Sequence, residues 1–132
     1  MTIPPEFQGR PSQEIPPADL EVDVIVQDGV AVVAVDGEID LATCERLAAS
    51  LDGALAGGEP VVIDLCRVLF VDSSGLRALL AARSRSAAAG SALALACPPD
   101  GVVARLLEVS GTAAAFTVHP TRDAALEAIG DA

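Results

Sequence analysis

From residue 60 onward, short apolar runs alternate with segments whose apolar residues recur at helical spacing, and this alternation restricts the fold most. The runs are VVIDL, LFV, ALALAC and AFTV, and the helical segments span 74–90, 98–111 and 121–130. Strands that alternate with helices predict an α/β domain with a mainly parallel sheet. Because crossovers are nearly always right-handed, strands added in one direction place their helices mostly on one face.

A hairpin and one helix precede this alternating region. LEVDVIVQ and VAVVAV are typical of two strands, and Asp28 and Gly29 between them predict a tight turn. Residues 41–55 then carry apolar side chains at helical spacing and end before Gly57. The predicted order is therefore β-β-α-β-α-β-α-β-α, with an antiparallel hairpin strand at the N-terminus.

The N-terminal segment differs in composition from the rest of the chain. Residues 1–18 hold five of the nine prolines and few residues that form cores. We expect a disordered, proline-rich tail there and one domain over residues 19–132, a length that suits a single hydrophobic core.

Charge and composition exclude several classes of partner. The net charge is −11, lysine is absent, and only 2% of residues are aromatic, with no Trp or Tyr. Such a chain repels phosphate backbones and lacks a stacking platform, so we expect no nucleic-acid binding. No apolar run approaches the roughly 20 residues needed to span a bilayer, and no signal peptide is evident. We expect a cytoplasmic protein that does not bind membranes.

The cysteines and the single histidine do not suggest a metal or redox site. Cys44, Cys66 and Cys97 are far apart, and structural zinc requires four Cys or His ligands at short spacing. We expect three free thiols that behave as small buried apolar groups. His119 has no catalytic partner nearby in the sequence, and we expect it in a loop.

Enzymatic motifs are also absent from the sequence. A nucleophile elbow needs GxSxG, whereas the serines at 73 and 74 follow Asp72 and precede Gly75. A phosphate-binding GxxxxGK[ST] loop requires lysine. The carboxylates Asp36, Glu38 and Asp40 fit solvated turn residues. We therefore expect no catalysis and no cofactor.

The segment FVDSSG has two physical interpretations. Asp72 and Ser73 both suit the cap of the helix that follows, whose first N–H groups lack partners. A hydroxyl at a helix start also tolerates a phosphate, although Asp72 opposes the added negative charge. Capping is the more common role of such residues, and the local chemistry alone leaves a regulatory role open.

Three segments in register resemble the STAS domains of bacterial anti-sigma-factor antagonists, and the resemblance extends over roughly residues 20–130. The segments are GEIDLATCERL, VVIDLCRVLFVDSSGLRALL and RLLEVSG. The resemblance implies a regulator that binds an anti-sigma factor, itself a serine kinase, and so releases a sigma factor.

It also implies that phosphorylation at Ser73 ends binding, with Ser74 as a secondary acceptor, and that a PP2C-type phosphatase reverses the modification. By the same resemblance, Glu38 and Asp40 join the residues from Asp72 to Gly75 in the partner surface of a monomer. The alternative is a STAS subunit of a transport system, or a scaffold domain that does not switch.

Overall fold

A computed structural model describes residues 19–130, and the predicted tail at 1–18 lies outside the described residues. The strands are β1 Leu20–Gln27, β2 Val30–Ile39, β3 Val61–Val71, β4 Leu93–Ala96 and β5 Val118–His119. The helices are α1 Cys44–Ala56, α2 Ser73–Ala88, α3 Val102–Ser110 and α4 Arg122–Gly130. Within the described chain, no helix is both long and apolar enough to cross a bilayer.

The strands form one sheet in the order β1-β2-β3-β4-β5. β1 is antiparallel to β2, and the remaining neighbours are parallel, so the predicted α/β fold is confirmed. The hairpin between β1 and β2 turns at Asp28 and Gly29, whose φ angles of 54° and 77° are both positive. Two consecutive positive φ angles are typical of the tight turns that match the twist of paired strands.

Three helices cover one face of the sheet and one helix covers the other, as predicted. On β2, Val33 and Val35 point into the larger core, and Val30 and Val32 point to the opposite face. The helical residues of the larger core come from α1, α2 and α3, namely Leu47, Leu51, Ala54, Leu79, Ala82, Val103 and Leu107. The smaller core lies under α4. Residues 30–33 of β2 and 61–65 of β3 thus have both faces buried, which explains the continuous apolar runs there, whereas β1 is largely exposed.

A partly buried ion pair joins α4 to β3. Asp64 is 8% exposed, and its Oδ2 accepts a hydrogen bond from Arg122 Nε at 2.7 Å. Its Oδ1 accepts a second bond from the backbone N–H of Cys66 at 3.0 Å. Burial raises the pKa of Asp64, but the bonds from Cys66 and Arg122 outweigh burial, so the net pKa lies below its usual range.

The three cysteines are free, as expected, but only Cys97 is buried. Cys44 and Cys66 are partly exposed, so the prediction of three buried thiols was wrong for these two. Burial raises the pKa of the Cys66 thiol to about 11, with further contributions from the hydrogen bond to Asp64 and its charge. A thiol with so high a pKa is a poor nucleophile at neutral pH.

The last strand differs from its prediction. Residues 115–118 were expected to be extended, yet Ala113–Ala115 form a 3₁₀ turn and β5 contains only Val118–His119. Alanine has low strand propensity, and Phe116 packs against the larger core, so the turn is favoured over a longer strand. His119 is consequently a strand residue and not the expected loop residue; its Nε2 is buried and, among residues 19–130, has no hydrogen-bond partner.

The third helix starts later than predicted. It was expected to cover 98–111, but it begins at Val102 after the N-cap Gly101. A residue that precedes proline avoids the helical conformation, so Pro98 cannot join a helix before Pro99. The prolines therefore lie before the helix and not in its first turn.

Gly37 lies in β2 opposite a bulge in β3, where Leu69 is the extra residue because Gly37 pairs with Val68 and Glu38 pairs with Phe70. The register of β2 against β3 shifts between Gly37 and Glu38, and the φ of Gly37 is +118°. A Cβ atom at Gly37 would lie 1.8 Å from the carbonyl oxygen of Asp19, to which the backbone N–H of Glu38 donates at 2.8 Å. Only glycine permits this close approach of β1, so Gly37 allows the start of β1 to lie against β2 beside Glu38.

Replacing Gly37 with alanine is expected to lower the free energy of unfolding by about 3 kcal/mol, because the positive φ and the backbone clash each cost roughly 1–3 kcal/mol. Urea unfolding measures the effect. Gly53→Ala is the matched control: Gly53 lies in α1 with open space around its missing Cβ, so alanine should stabilise by roughly 0.5–1 kcal/mol. Unfolding of Gly37→Ala at the wild-type midpoint would contradict this role of Gly37.

Candidate phosphorylation and docking site

The site lies where β2 and β3 end side by side. Ile39 of β2 pairs with Val71 of β3, and the backbone N–H of Asp72 donates to the carbonyl of Ile39 at 3.2 Å. Because parallel strands bring their carboxyl ends to one edge of a sheet, Asp40 and Asp72 leave the sheet as neighbours. The two sequence motifs that contain them, GEID and DSSG, therefore meet in the fold.

Asp72 is the N-cap of α2. It has extended backbone angles, and its Oδ1 accepts hydrogen bonds from the backbone N–H groups of Ser74 at 2.9 Å and Gly75 at 3.4 Å. The hydroxyl of Ser74 donates to the same oxygen. These bonds, the Ser74 hydroxyl first, hold the pKa of Asp72 below its usual value. The sequence left the cap open between Asp72 and Ser73, and the structure assigns it to Asp72.

The two serines have different environments. Ser73 is the first residue of α2 and is exposed, and the hydrogen bonds that Asp72 accepts come from Ser74 and Gly75. Ser74 is half-buried, and its only hydroxyl hydrogen is donated to Asp72. Ser73 thus presents its hydroxyl at the surface, whereas Ser74 uses its hydroxyl in the cap.

Gly75 allows α2 to lie close to the strand ends. It is buried, and a Cβ at this position would lie 2.7 Å from Cγ2 of both Ile39 and Val71. Both neighbours are β-branched core residues with little rotamer freedom, so they cannot easily move aside. Gly75 therefore positions the serines, and its burial keeps it from contacting a partner.

Asp40 fixes the loop that enters α1. Its Oδ1 accepts from the backbone N–H groups of Ala42 at 3.0 Å and Thr43 at 3.1 Å, and its own N–H donates to Thr43 Oγ1 at 2.9 Å. The hydroxyl of Thr43, a residue only 4% exposed, lies 2.9 Å from the carbonyl of Glu38, to which it can donate. Sequence analysis missed Thr43, although an Asp three residues before a Thr is a known signal for such local bonding.

Large apolar side chains next to these acids are exposed. Leu41 follows Asp40 and is 78% exposed, while Leu69 and Phe70 near the end of β3 are 72% and 48% exposed. The predicted strand LFV does form the end of β3, but Leu69 and Phe70 are exposed there. β4 pairs only with Val61–Asp64, so the end of β3 extends past its neighbour and loses cover on that side. Exposed apolar residues beside acids are typical of a protein-binding surface.

Comparison with known proteins identifies the family. A STAS domain profile matches residues 21–125. This chain belongs to the STAS domain family. Within its described residues, 19–130, the STAS domain has no group of three or more His, Cys, Asp or Glu side chains that could hold a metal ion.

Relatives of this STAS domain include named anti-sigma factor antagonists. BtrV of Bordetella bronchiseptica, provisionally named an anti-sigma factor antagonist, is 32% identical over 76% of this chain and 87% of its own length. The anti-sigma F factor antagonist of Paenibacillus polymyxa is 29% identical over 84% of this chain and 93% of its own.

The structural similarity agrees with these sequence matches. The crystal structure of an anti-sigma factor antagonist from Mycobacterium paratuberculosis matches 83% of this chain and 93% of its own with a TM-score of 0.77 and 32% identity. Unphosphorylated SpoIIAA, also an anti-sigma factor antagonist, matches 84% of this chain and 96% of its own with a TM-score of 0.65. At 21% identity, SpoIIAA supports the fold alone.

Asp72→Ala should destabilise the STAS domain by about 1 kcal/mol at pH 7, because the helix loses its cap. The pKa of Asp72 is lowered in the folded state, so its stabilisation is complete above the unfolded pKa near 3.8 and is lost as the pH falls through the folded pKa. The difference from wild type should shrink below about pH 3. Urea unfolding across pH measures it.

Asp72→Asn is the control, since asparagine caps equally well without titrating. A wild-type advantage over Asp72→Ala that is unchanged down to about pH 2 would contradict a carboxylate cap.

Proposed function

We propose that this STAS domain is an anti-sigma-factor antagonist that phosphorylation of Ser73 switches off. The observation that supports Ser73 is its exposed hydroxyl at the start of α2, beside a serine whose hydroxyl is bound to Asp72. The names of the BtrV and Paenibacillus relatives support the regulatory class. In this proposal the domain is non-catalytic and needs no cofactor of its own.

The proposed partner is an anti-sigma factor that is also a serine kinase. The kinase binds ATP and transfers the γ-phosphoryl group to Ser73 Oγ, while a base in the kinase takes the hydroxyl proton. Ser74 is a secondary acceptor, because it must first give up its bond to Asp72. A PP2C-type phosphatase then hydrolyses the phosphate ester and restores the binding form.

The proposed docking surface combines acids with apolar side chains. Glu38, Asp40 and Asp72 supply negative charge, and the exposed Leu41, Leu69 and Phe70 supply apolar area. A partner with a basic rim around an apolar centre complements this arrangement. We also propose that the protein, with a net charge of −11, is a monomer. It would work in the cytoplasm together with its proposed partners.

Charge explains how phosphate would stop binding. Phosphoserine brings about −1.5 to −2 charges into a surface that the partner must desolvate. An uncompensated charge in an interface can cost several kcal/mol. Since Ser73 has no hydrogen bond to Asp72 to lose, the fold should change little. A transport subunit or passive scaffold would have no use for this exposed hydroxyl, and the switch is therefore favoured over the alternative.

Ser73→Asp should bind the anti-sigma factor about 10-fold to 100-fold more weakly, because the variant adds one charge to the docking surface. Ser73→Ala should bind normally and resist phosphorylation, whereas Ser74→Ala should still be phosphorylated at Ser73. The partner is isolated from the native host by pull-down, affinities are measured by calorimetry, and mass spectrometry locates the phosphate.

Ser84→Asp is the matched control, since Ser84 is an exposed serine of α2 eleven residues from Ser73. This variant carries the same added charge and should bind like wild type. Phosphate on Ser74 alone, or equal affinity of Ser73→Asp and Ser84→Asp, would overturn the assignment.

A further inference from the structure

The three arginines of α2 have different contacts. Arg83 Nε donates to the carbonyl of Ala115, and Arg85 forms an ion pair with Asp52 of α1. Arg77 is exposed, and within residues 19–130 its side chain has no hydrogen bond or ion pair assigned. Of these three arginines, Arg77 is therefore the one whose guanidinium has no partner within the described residues.

The sequence of α2 explains why Arg77 has no ion pair within its own helix. The helix contains no Asp or Glu, so no carboxylate lies three or four residues away on either side. Of the two residues one turn earlier, Ser73 is exposed and Ser74 is half-buried with its hydroxyl bound to Asp72. The accessible polar neighbour of Arg77 on its own helix is therefore the Ser73 hydroxyl.

Helix geometry brings Ser73 and Arg77 together. Residues four apart lie on the same side of a helix with Cβ atoms about 5–6 Å apart. Helical side chains also lean toward the N-terminus, so the long arginine side chain extends over the preceding turn, where Ser73 lies. No hydrogen bond between Ser73 and Arg77 is assigned, but a phosphate on the Ser73 hydroxyl adds length and three acceptor oxygens.

We propose that Arg77 is the phosphate-binding residue of the modified form and holds the phosphate of phosphoserine 73 in an intrahelical ion pair. This inference rests on the proposed function for the origin of the phosphate, while the pair itself depends only on α2. The guanidinium offsets the repulsion between the phosphate and the carboxylate of Asp72, which stays bonded to Ser74. The helix cap can thus remain intact after modification.

The ion pair between Arg77 and phosphoserine 73 would give phosphorylation a second effect on the docking surface, besides the added negative charge. In the unmodified form, the Arg77 guanidinium has no partner assigned within residues 19–130 and lies one helical turn from Ser73. In the modified form, the phosphate engages it, so the partner meets both an added negative charge and a cation that is no longer available. Phosphorylation then changes two residues of the surface through one covalent event.

The test installs phosphoserine at position 73 of the full chain by genetic code expansion, so no kinase is needed. Phosphorus NMR titration then measures the second pKa of the phosphate. A nearby guanidinium favours the dianion, so this pKa should be about 0.3–0.7 lower with Arg77 than in Arg77→Gln. The difference should shrink in 1 M salt, because an exposed ion pair is screened.

Arg105→Gln is the matched control. Arg105 is an exposed arginine of α3 whose side chain likewise has no bond assigned within the described chain. Its removal lowers the net positive charge equally and should leave the phosphate pKa near the wild-type value. Glutamine suits a helix surface, and circular dichroism confirms that each variant folds.

Each outcome decides the proposal. A phosphate pKa that is the same in wild type and Arg77→Gln overturns it, and so does an equal rise in Arg77→Gln and Arg105→Gln. If the ion pair is found but the native host never phosphorylates Ser73, the proposed function fails and the Arg77 contact stands.

Discussion

The parallel pairing of β2 with β3, maintained to the last residue of both strands, is the constraint on which the rest of the site depends. It brings Ile39 beside Val71, and Gly75 packs against both of these side chains. The start of α2 is therefore positioned by core packing and not by the loop alone. A helix held this way can present a side chain at a constant place and orientation while a partner or modifying enzyme approaches.

The four adjacent residues of the segment DSSG, residues 72–75, have different structural roles. Asp72 caps the helix, Ser74 completes the cap, Gly75 permits the close approach, and Ser73 takes part in none of these interactions. This division reconciles the two interpretations of the motif, since capping and display of a free hydroxyl are performed by different residues. The proposed phosphate on Ser73 would therefore leave the hydrogen bonds of the helix cap in place.

Much of the architecture was predictable because local patterns and global fold agree. The helical spacing, the turn at Asp28 and Gly29, and the strand–helix alternation gave the correct element order. The exposure of Leu69 and Phe70 was not predictable, because an apolar strand residue carries no information on where the neighbouring strand stops. The 3₁₀ turn at Ala113–Ala115 was missed since a run of alanines is compatible with several backbone conformations. The roles of Ser73 and Ser74 depend on one hydrogen bond that only coordinates reveal.

The exposure of Phe70 at the end of β3 also has an optical consequence. The protein contains no tryptophan or tyrosine, so it is nearly transparent in the near ultraviolet and has almost no intrinsic fluorescence. A tryptophan substituted for Phe70, whose side chain is about half exposed, would therefore be the sole emitter in the chain. Its emission would shift to shorter wavelength whenever a partner covers the end of the strand, and the docking event would be visible in real time without a chemical label.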